Sequence, residues 1–293
     1  MANLRDIKKR ITSVNSTRQI TRTMEMVSTA KIKKAQERIE AARPYALAMM
    51  ELLGNVTRYA SGAQHPLLEI REERRRVVAI SVTSDRGLAG AFNSNILKLT
   101  EEYLRDAAAS GSQVDLVTVG KKAASYFLYR GVTPIAQYRD ISSKPTFADA
   151  KAIANQVIRA YSDAEIDEVV VLFNRFVNVA DQSPELHKLL PISSTVLEDA
   201  AEKSDVSAEY LFEPGPEDVL GDLLPSYVEA LIFRALMESA AAEHGARRKA
   251  MKSATDNASE MIVTLTRTYN RARQAAITTE ISEIIGGAAA LED

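Results

Sequence analysis

No proline occurs before Pro44 and no glycine before Gly54. Over the same stretch apolar residues recur at helical spacing. Leu4, Ile7, Ile11 and Val14 form one set, Ile20, Met24 and Val27 a second, Ile32, Ala35, Ile39 and Ala42 a third. This predicts one helix from about residue 3 to residue 58, roughly 80 Å long at about 1.5 Å per residue. A helix several times the usual length cannot serve a compact domain alone. Pro44 either kinks it or sits where a neighbour tolerates the break.

The other end of the chain behaves alike. After the Pro/Gly cluster "FEPGPEDVLGDLLP", the sequence from about Pro225 to Ile285 has no further proline and a single glycine, Gly245. Its expected seam is Ala250, Ala254, Ala258, Met261, Leu265, Thr268, Ala272 and Ala275, mostly alternating threes and fours. Small seam residues let two helix axes approach closely, but they bury little area per turn. If the two terminal helices pair, they must run antiparallel, because the chain leaves by one and returns by the other.

Residues 76–193 have a different period. "RVVAISVTS", "VDLVTV", "VTPIAQY" and "DEVVVLFNRFVNV" read as strands, and "PELHKLLPIS" as a further strand returning to an edge. Helical stretches over about 94–109, 121–130 and 146–162 lie between them. Alternating strands and helices predict a doubly wound, mostly parallel sheet. The expected α/β organisation is therefore a long antiparallel coiled coil of residues 1–59 and 218–293 plus a central α/β domain over 76–193.

Charge is uneven along this frame. Residues 1–59 hold twelve Lys/Arg against five Asp/Glu, and 60–217 hold seventeen against twenty-three. Within the C-terminal segment, 247–273 holds seven basic and two acidic residues. Basic ends around an acidic middle suggest an acidic partner for the ends. The absence of cysteine removes disulfides, thiolate nucleophiles and Cys-ligated metals. No apolar run approaches the length of a membrane span, and "MANLRDIKKR" has no signal core. A cytoplasmic protein without its own membrane span is expected.

Candidate chemistry is thin. "SDRGLAGAFN" (84–93) joins the first strand to a helix, where nucleotide loops sit, and Gly87 and Gly90 could approach a phosphate. It is neither G-x-G-x-x-G nor a Walker loop, so a tight turn with Asp85 and Arg86 paired or capping is the better reading. His65, His187 and His244 lack metal spacing and are expected at the surface or an interface. Met24, Met26, Met251 and Met261 fit seam packing. No nucleophile–base constellation is present, and no catalytic, cofactor or metal residue is expected.

Three segments are more specific. "ITSVNSTRQITRTMEMVSTAKIKKAQ" (11–36) resembles the N-terminal helix of the gamma subunits of F-type ATP synthases. "ARRKAMKSATDNASEMI" (246–262) and "YNRARQAAITTEISEIIGGAAA" (269–290) resemble their C-terminal helix. Ile277, Thr278, Glu280, Glu283, Gly287, Ala288 and Ala290 fill every fixed position of that family's C-terminal signature. "TSDRGLAGAFN" resembles its central domain. The paired-cysteine loop of chloroplast members is absent, so the resemblance is to bacterial members.

The resemblance implies a central rotor shaft, one copy per complex, that couples rotation of the membrane c-ring to ATP synthesis in an alpha/beta hexamer. It implies no catalysis and no cofactor in this chain. It also implies peripheral attachment at the cytoplasmic side of the inner or plasma membrane. Met24, Arg273, Gln274, Thr278 and Glu280 would contact alpha and beta. Tyr210 and Glu213 would face the c-ring and epsilon subunit. Ile281, Ile284 and Ile285 would form an apolar pivot tip. Lys9, Arg10, Lys33, Lys34, Arg247, Arg248 and Lys249 would give the shaft a positive surface. Two other readings are a basic coiled-coil hairpin binding nucleic acid and a small nucleotide-dependent enzyme built on the middle domain.

Overall fold

The computed structural model describes residues 4–59, 65–71, 73–179, 181–193 and 215–292. Helix α1 covers Leu4–Tyr59, without interruption at Pro44. A 3-10 turn at Pro66–Leu68 is capped by His65, whose ring Nδ1 accepts from the Leu67 N–H at 3.2 Å. Strand β1 (Arg76–Val82), α2 (Phe92–Ala109), β2 (Gln113–Val119), α3 (Lys121–Tyr129), β3 (Ala136–Tyr138), α4 (Phe147–Ser162), β4 (Glu168–Phe176) and β5 (Gln182–Leu190) follow. Helix α5 runs over Pro216–Glu292. It starts two residues before the expected bound of 218, and well before Pro225. Pro216 occupies the first helical position, where its missing N–H costs nothing. Pro225 lies inside the helix.

The chain divides into two compact units. One is 1–28 with 248–293, the other 29–247. In the larger unit the sheet order is β3-β2-β1-β4-β5. β1 pairs parallel with β2 and β4, β2 with β3, and β5 returns antiparallel on β4. This is the doubly wound, mostly parallel sheet expected, with an antiparallel edge. β3 is shorter than the sequence suggests, since Pro134 supplies no N–H to a ladder.

Period-two alternation sorts the core into two layers. Val78, Ile80, Val82, Val117, Val119, Val169 and Val171 face one way, onto Ile153, Val157 and Tyr161 of α4. Ala79, Leu116, Val170 and Leu172 face the other, onto Ala123 and Phe127 of α3, with Leu97 and Leu104 of α2. Helices α1 and α5 also contribute to the first layer. Leu53 and Val56 and, from α5, Leu220, Leu224, Val228 and Ile232 are buried there. These stretches of the terminal helices are thus part of the core of the sheet unit. α4 starts with a reciprocal cap: Thr146 Oγ1 accepts from the Asp149 N–H at 3.3 Å, and Asp149 Oδ2 accepts from the Thr146 N–H at 2.8 Å. Gly120, between β2 and α3, has φ +90°, and a Cβ there would lie 2.3 Å from the Thr83 carbonyl oxygen. No other residue fits that turn.

Candidate partner-binding surfaces

In the smaller unit α1 and α5 pair along a narrow stripe. Ile7, Thr21 and Ser28 are buried from α1, and Met251 and Ala258 from α5. Thr21 Oγ1 and Thr255 Oγ1 share a hydrogen bond of 2.8 Å across the pair. Beyond Ser259, itself half-buried, the half-buried positions of α5 are Ile262, Leu265, Tyr269, Ala272 and Ala276, every three or four residues.

The register differs from the apolar pattern. On α1, Arg18, Thr21, Glu25 and Ser28 turn inward, while Ile20 and Val27 are 61% and 49% exposed. On α5, Met261 is 53% exposed and Ile262 takes its place. Thr268 and Ala275 likewise yield to Tyr269 and Ala276. Side-chain periodicity dictates the shift: from Ala258, 3.6 residues per turn falls between 261 and 262, so the inward position drifts past Met261, Thr268 and Ala275 to the residue after each. The unit therefore has a small, partly polar seam and leaves several large apolar side chains, among them Ile20, Val27, Met261 and Val263, on an otherwise polar outer surface.

Past Ala276 every described α5 side chain through Ile285 is exposed. Ile277, Ile281, Ile284 and Ile285 are 46%, 51%, 71% and 63% exposed. Such a cluster of exposed isoleucines is unlike an ordinary solvated helix face. Arg273, Gln274, Thr278 and Glu280 share this exposed stretch, with the Thr278 hydroxyl donating to the Gln274 carbonyl oxygen at 3.0 Å. Met24 is half-buried beside a shallow depression lined by Ser16, Gln19, Ile20 and Thr23. Tyr210 and Glu213 lie outside the described residues.

The loop 84–93 of the larger unit is occupied by its own chain. The Asp85 carboxylate accepts from the Lys121 N–H at the start of α3 (3.0 Å), from Asp140 N–H (3.0 Å) and from Ser142 N–H (3.1 Å). It thus holds the place an anion would take at that helix N-terminus. Burial opposes its ionisation, but these hydrogen bonds outweigh it and keep its pKa below the usual value. Asn174 of β4 donates to the Phe92 carbonyl oxygen at 3.0 Å. Asp85 therefore caps, as the turn reading expected, whereas Arg86 is exposed.

Two residues read as surface groups are internal. Arg247 is 9% exposed and pairs with Glu243 at 2.8 Å, so it adds nothing to a basic surface. His244 is 3% exposed. Desolvation, with Arg247 and Lys31 adding repulsion, lowers its pKa to about 4. Lys9, Arg10, Lys33, Lys34 and Lys249 are exposed, and Arg248 is half-buried. Among the described residues no group of three His, Asp or Glu could hold a metal ion, and no helix is long and apolar enough to cross a membrane.

Two long terminal helices, one of them carrying exposed isoleucines, and a mostly parallel sheet whose β1–α2 loop is held by its own Asp85 define the class of fold. The ATP synthase family model matches residues 3–291. The ATP synthase gamma chain of Desulforamulus reducens is 48% identical over 292 residues, all of both chains, and that of Symbiobacterium thermophilum is 43% identical over 291 residues, 99% of both. The central stalk/c-ring structure of Tetrahymena thermophila mitochondrial ATP synthase matches with TM-score 0.61 at 25% identity, over 80% of this chain and 99% of that one. A chain of the Euglena gracilis mitochondrial ATP synthase OSCP/F1/c-ring structure matches with TM-score 0.67 at 20% identity, over 98% and 94%. This chain belongs to the ATP synthase gamma chain family. These relatives lend no support to the nucleic-acid arm.

Proposed function

We propose that this chain is the rotor shaft that couples ion-driven rotation of a membrane c-ring to ATP synthesis at beta-subunit sites of an alpha/beta hexamer. The observation that carries this reading is the run of exposed isoleucines beyond the last seam contact, Ala276. An apolar tip can turn inside an apolar sleeve without breaking directional bonds, since dispersion and hydrophobic contact are non-directional. Ile281, Ile284 and Ile285 are the pivot. Met24, Arg273, Gln274, Thr278 and Glu280 meet loops of alpha and beta, and Tyr210 and Glu213 meet the c-ring and epsilon. The working parts are the helices 1–59 and 218–293 around the domain 76–193. The chain catalyses nothing itself. It biases the three beta subunits differently because its surface is asymmetric, and a binding partner can shift an equilibrium only by contacting its states differently. The complex holds one copy, peripheral to the cytoplasmic side of the membrane.

The test is recovery of the tagged chain from its source membranes, followed by native mass spectrometry. One copy with three alpha and three beta subunits is expected, with ATPase activity only in the complex. Recovery alone, or with nucleic acid and without alpha and beta, contradicts the reading.

A further inference from the structure

Residues 235–247 of α5 are buried without a break. A helix normally shows one covered stripe, so this stretch is enclosed on all sides within the sheet unit. Much of its surface is alanine, and alanine contacts alone resist neither rotation nor sliding, because they are non-directional.

Three contacts on different faces supply the direction. Ala242 and Ala246 pack on Ala89, Phe92 and Phe176. Gly245 sits so close to the β4–β5 connection that a Cβ would lie 3.0 Å from Gln182 Nε2 and 3.5 Å from the Val179 carbonyl oxygen. Gln182 is itself tethered, donating to the carbonyl oxygens of Asn178 and Val179 at 3.1 Å each. On the third face Glu243 accepts from Arg247 at 2.8 Å and from the Ser142 hydroxyl at 3.2 Å, and Arg247 donates to the Gly87 carbonyl oxygen at 3.2 Å.

The third contact continues inward. The Ser142 hydroxyl accepts from the Asp85 N–H at 2.9 Å, and Asp85 caps α3. A hydrogen-bonded path thus leads from α5 to the carboxyl ends of β1 and β2. Glu243 and Arg247 are 2% and 9% exposed. Burial raises the Glu243 pKa, although Arg247 and the Ser142 hydroxyl oppose the rise. A buried pair of this kind adds little net stability over well-packed apolar residues, and its best-attested use is to fix register.

We propose that Glu243 and Arg247, with Ser142 and the Gly87 carbonyl, are a key that locks the rotation and axial position of α5 within the α/β unit. They are positioning residues. On the rotor reading, on which this inference rests, the key prevents α5 from slipping in its enclosure when the sheet unit is turned against a load.

The test uses the assembled complex, anchored through its hexamer. A bead is attached to the sheet unit through Tyr129→Cys, at a side chain 89% exposed in a chain without other cysteines. The double variant Glu243→Gln/Arg247→Met removes both charges together, so neither is left buried alone. In the stalled complex the angular variance of the bead is expected to rise about twofold or more, as local opening of α5 becomes easier. ATP hydrolysis should change less than the variance does. Ser142→Ala, which removes that hydroxyl's hydrogen bonds to Glu243 and from the Asp85 N–H but keeps the Glu243–Arg247 pair, should give a smaller rise, and it decides the matter if the double variant does not assemble. Unchanged variance in the assembled double variant, or in Ser142→Ala when it alone assembles, overturns the key. A wild-type bead that fails to turn with ATP overturns the rotor reading itself.

Discussion

Helix α5 passes through three environments, and their contrast explains more than either unit alone. At 235–247 it is buried on every side, from 251 to 276 it is covered along one stripe, and from 277 to 285 its side chains are uncovered. Apolar content does not produce the gradient, because the four isoleucines of 277–285 lie in the uncovered stretch, while 235–247 is buried with no isoleucine. The difference lies in what stands opposite: a sheet unit, a single partner helix, then nothing among the described residues. Burial of apolar area stabilises by roughly 25 cal/mol per Å². The first stretch is therefore held strongly by its own chain, and the last depends on others.

The largest expected effect lies in the sheet unit. Leu224 is fully buried, and Leu224→Ala should destabilise that unit by about 2–5 kcal/mol. Ile284→Ala should cost the free chain no more than about 0.5 kcal/mol. Thermal or urea melts of the two variants measure the contrast, and equal losses would erase it.

Protonation gives the next effect. The folded pKa of His244 is about 4, against an ordinary 6.5. A depressed folded pKa means that its contribution is complete above the unfolded value and is lost as pH falls from about 6.5 towards 4. That contribution is at most about 3 kcal/mol. Asp85, also depressed, acts in the same direction below the ordinary Asp value. Glu243, raised, acts in the opposite sense, since its burial costs stability as pH rises through its folded pKa. His244→Gln should therefore flatten the loss of sheet-unit stability between pH 6.5 and 4, read as melting temperature against pH. An unchanged slope would show that His244 is not held neutral.

The smallest effect belongs to the seam. Thr21→Val with Thr255→Val removes the cross-helix hydrogen bond and both its partners, so the change should stay within about 1 kcal/mol, because loss of both partners is far milder than loss of one. Thr21→Val alone should cost more than the pair. Helical circular dichroism during thermal melting separates the two.

Much of this was legible in advance. Both long helices, the order of strands and helices, and the return of β5 to an edge follow from period and from proline and glycine placement. The seam was not. Apolar periodicity named Ile20, Val27 and Met261 as inward, whereas Thr21, Ser28 and Ile262 take those places. When a surface is apolar because a partner will cover it, hydrophobicity cannot tell the inner face from the outer. The start of α5 lies two residues before the expected bound of 218, although the helical pattern itself is unbroken only from about Pro225: Pro216 suits a first helical position, but a cluster of Pro and Gly reads as a turn. The internal role of Arg247 and His244 was hidden because a basic run looks solvated until its acidic neighbour, here Glu243 one turn earlier, is seen to face it. The signal was present as an i, i+4 pair.

The most direct measurement is amide hydrogen exchange along α5 in the free chain and in the complex with alpha and beta subunits. The account predicts slow exchange at 235–247 in both, and exchange at 277–285 that is fast in the free chain and strongly slowed in the complex. Exchange at 277–285 that is the same in both states would mean that no partner covers the apolar tip, and the rotor account would fail.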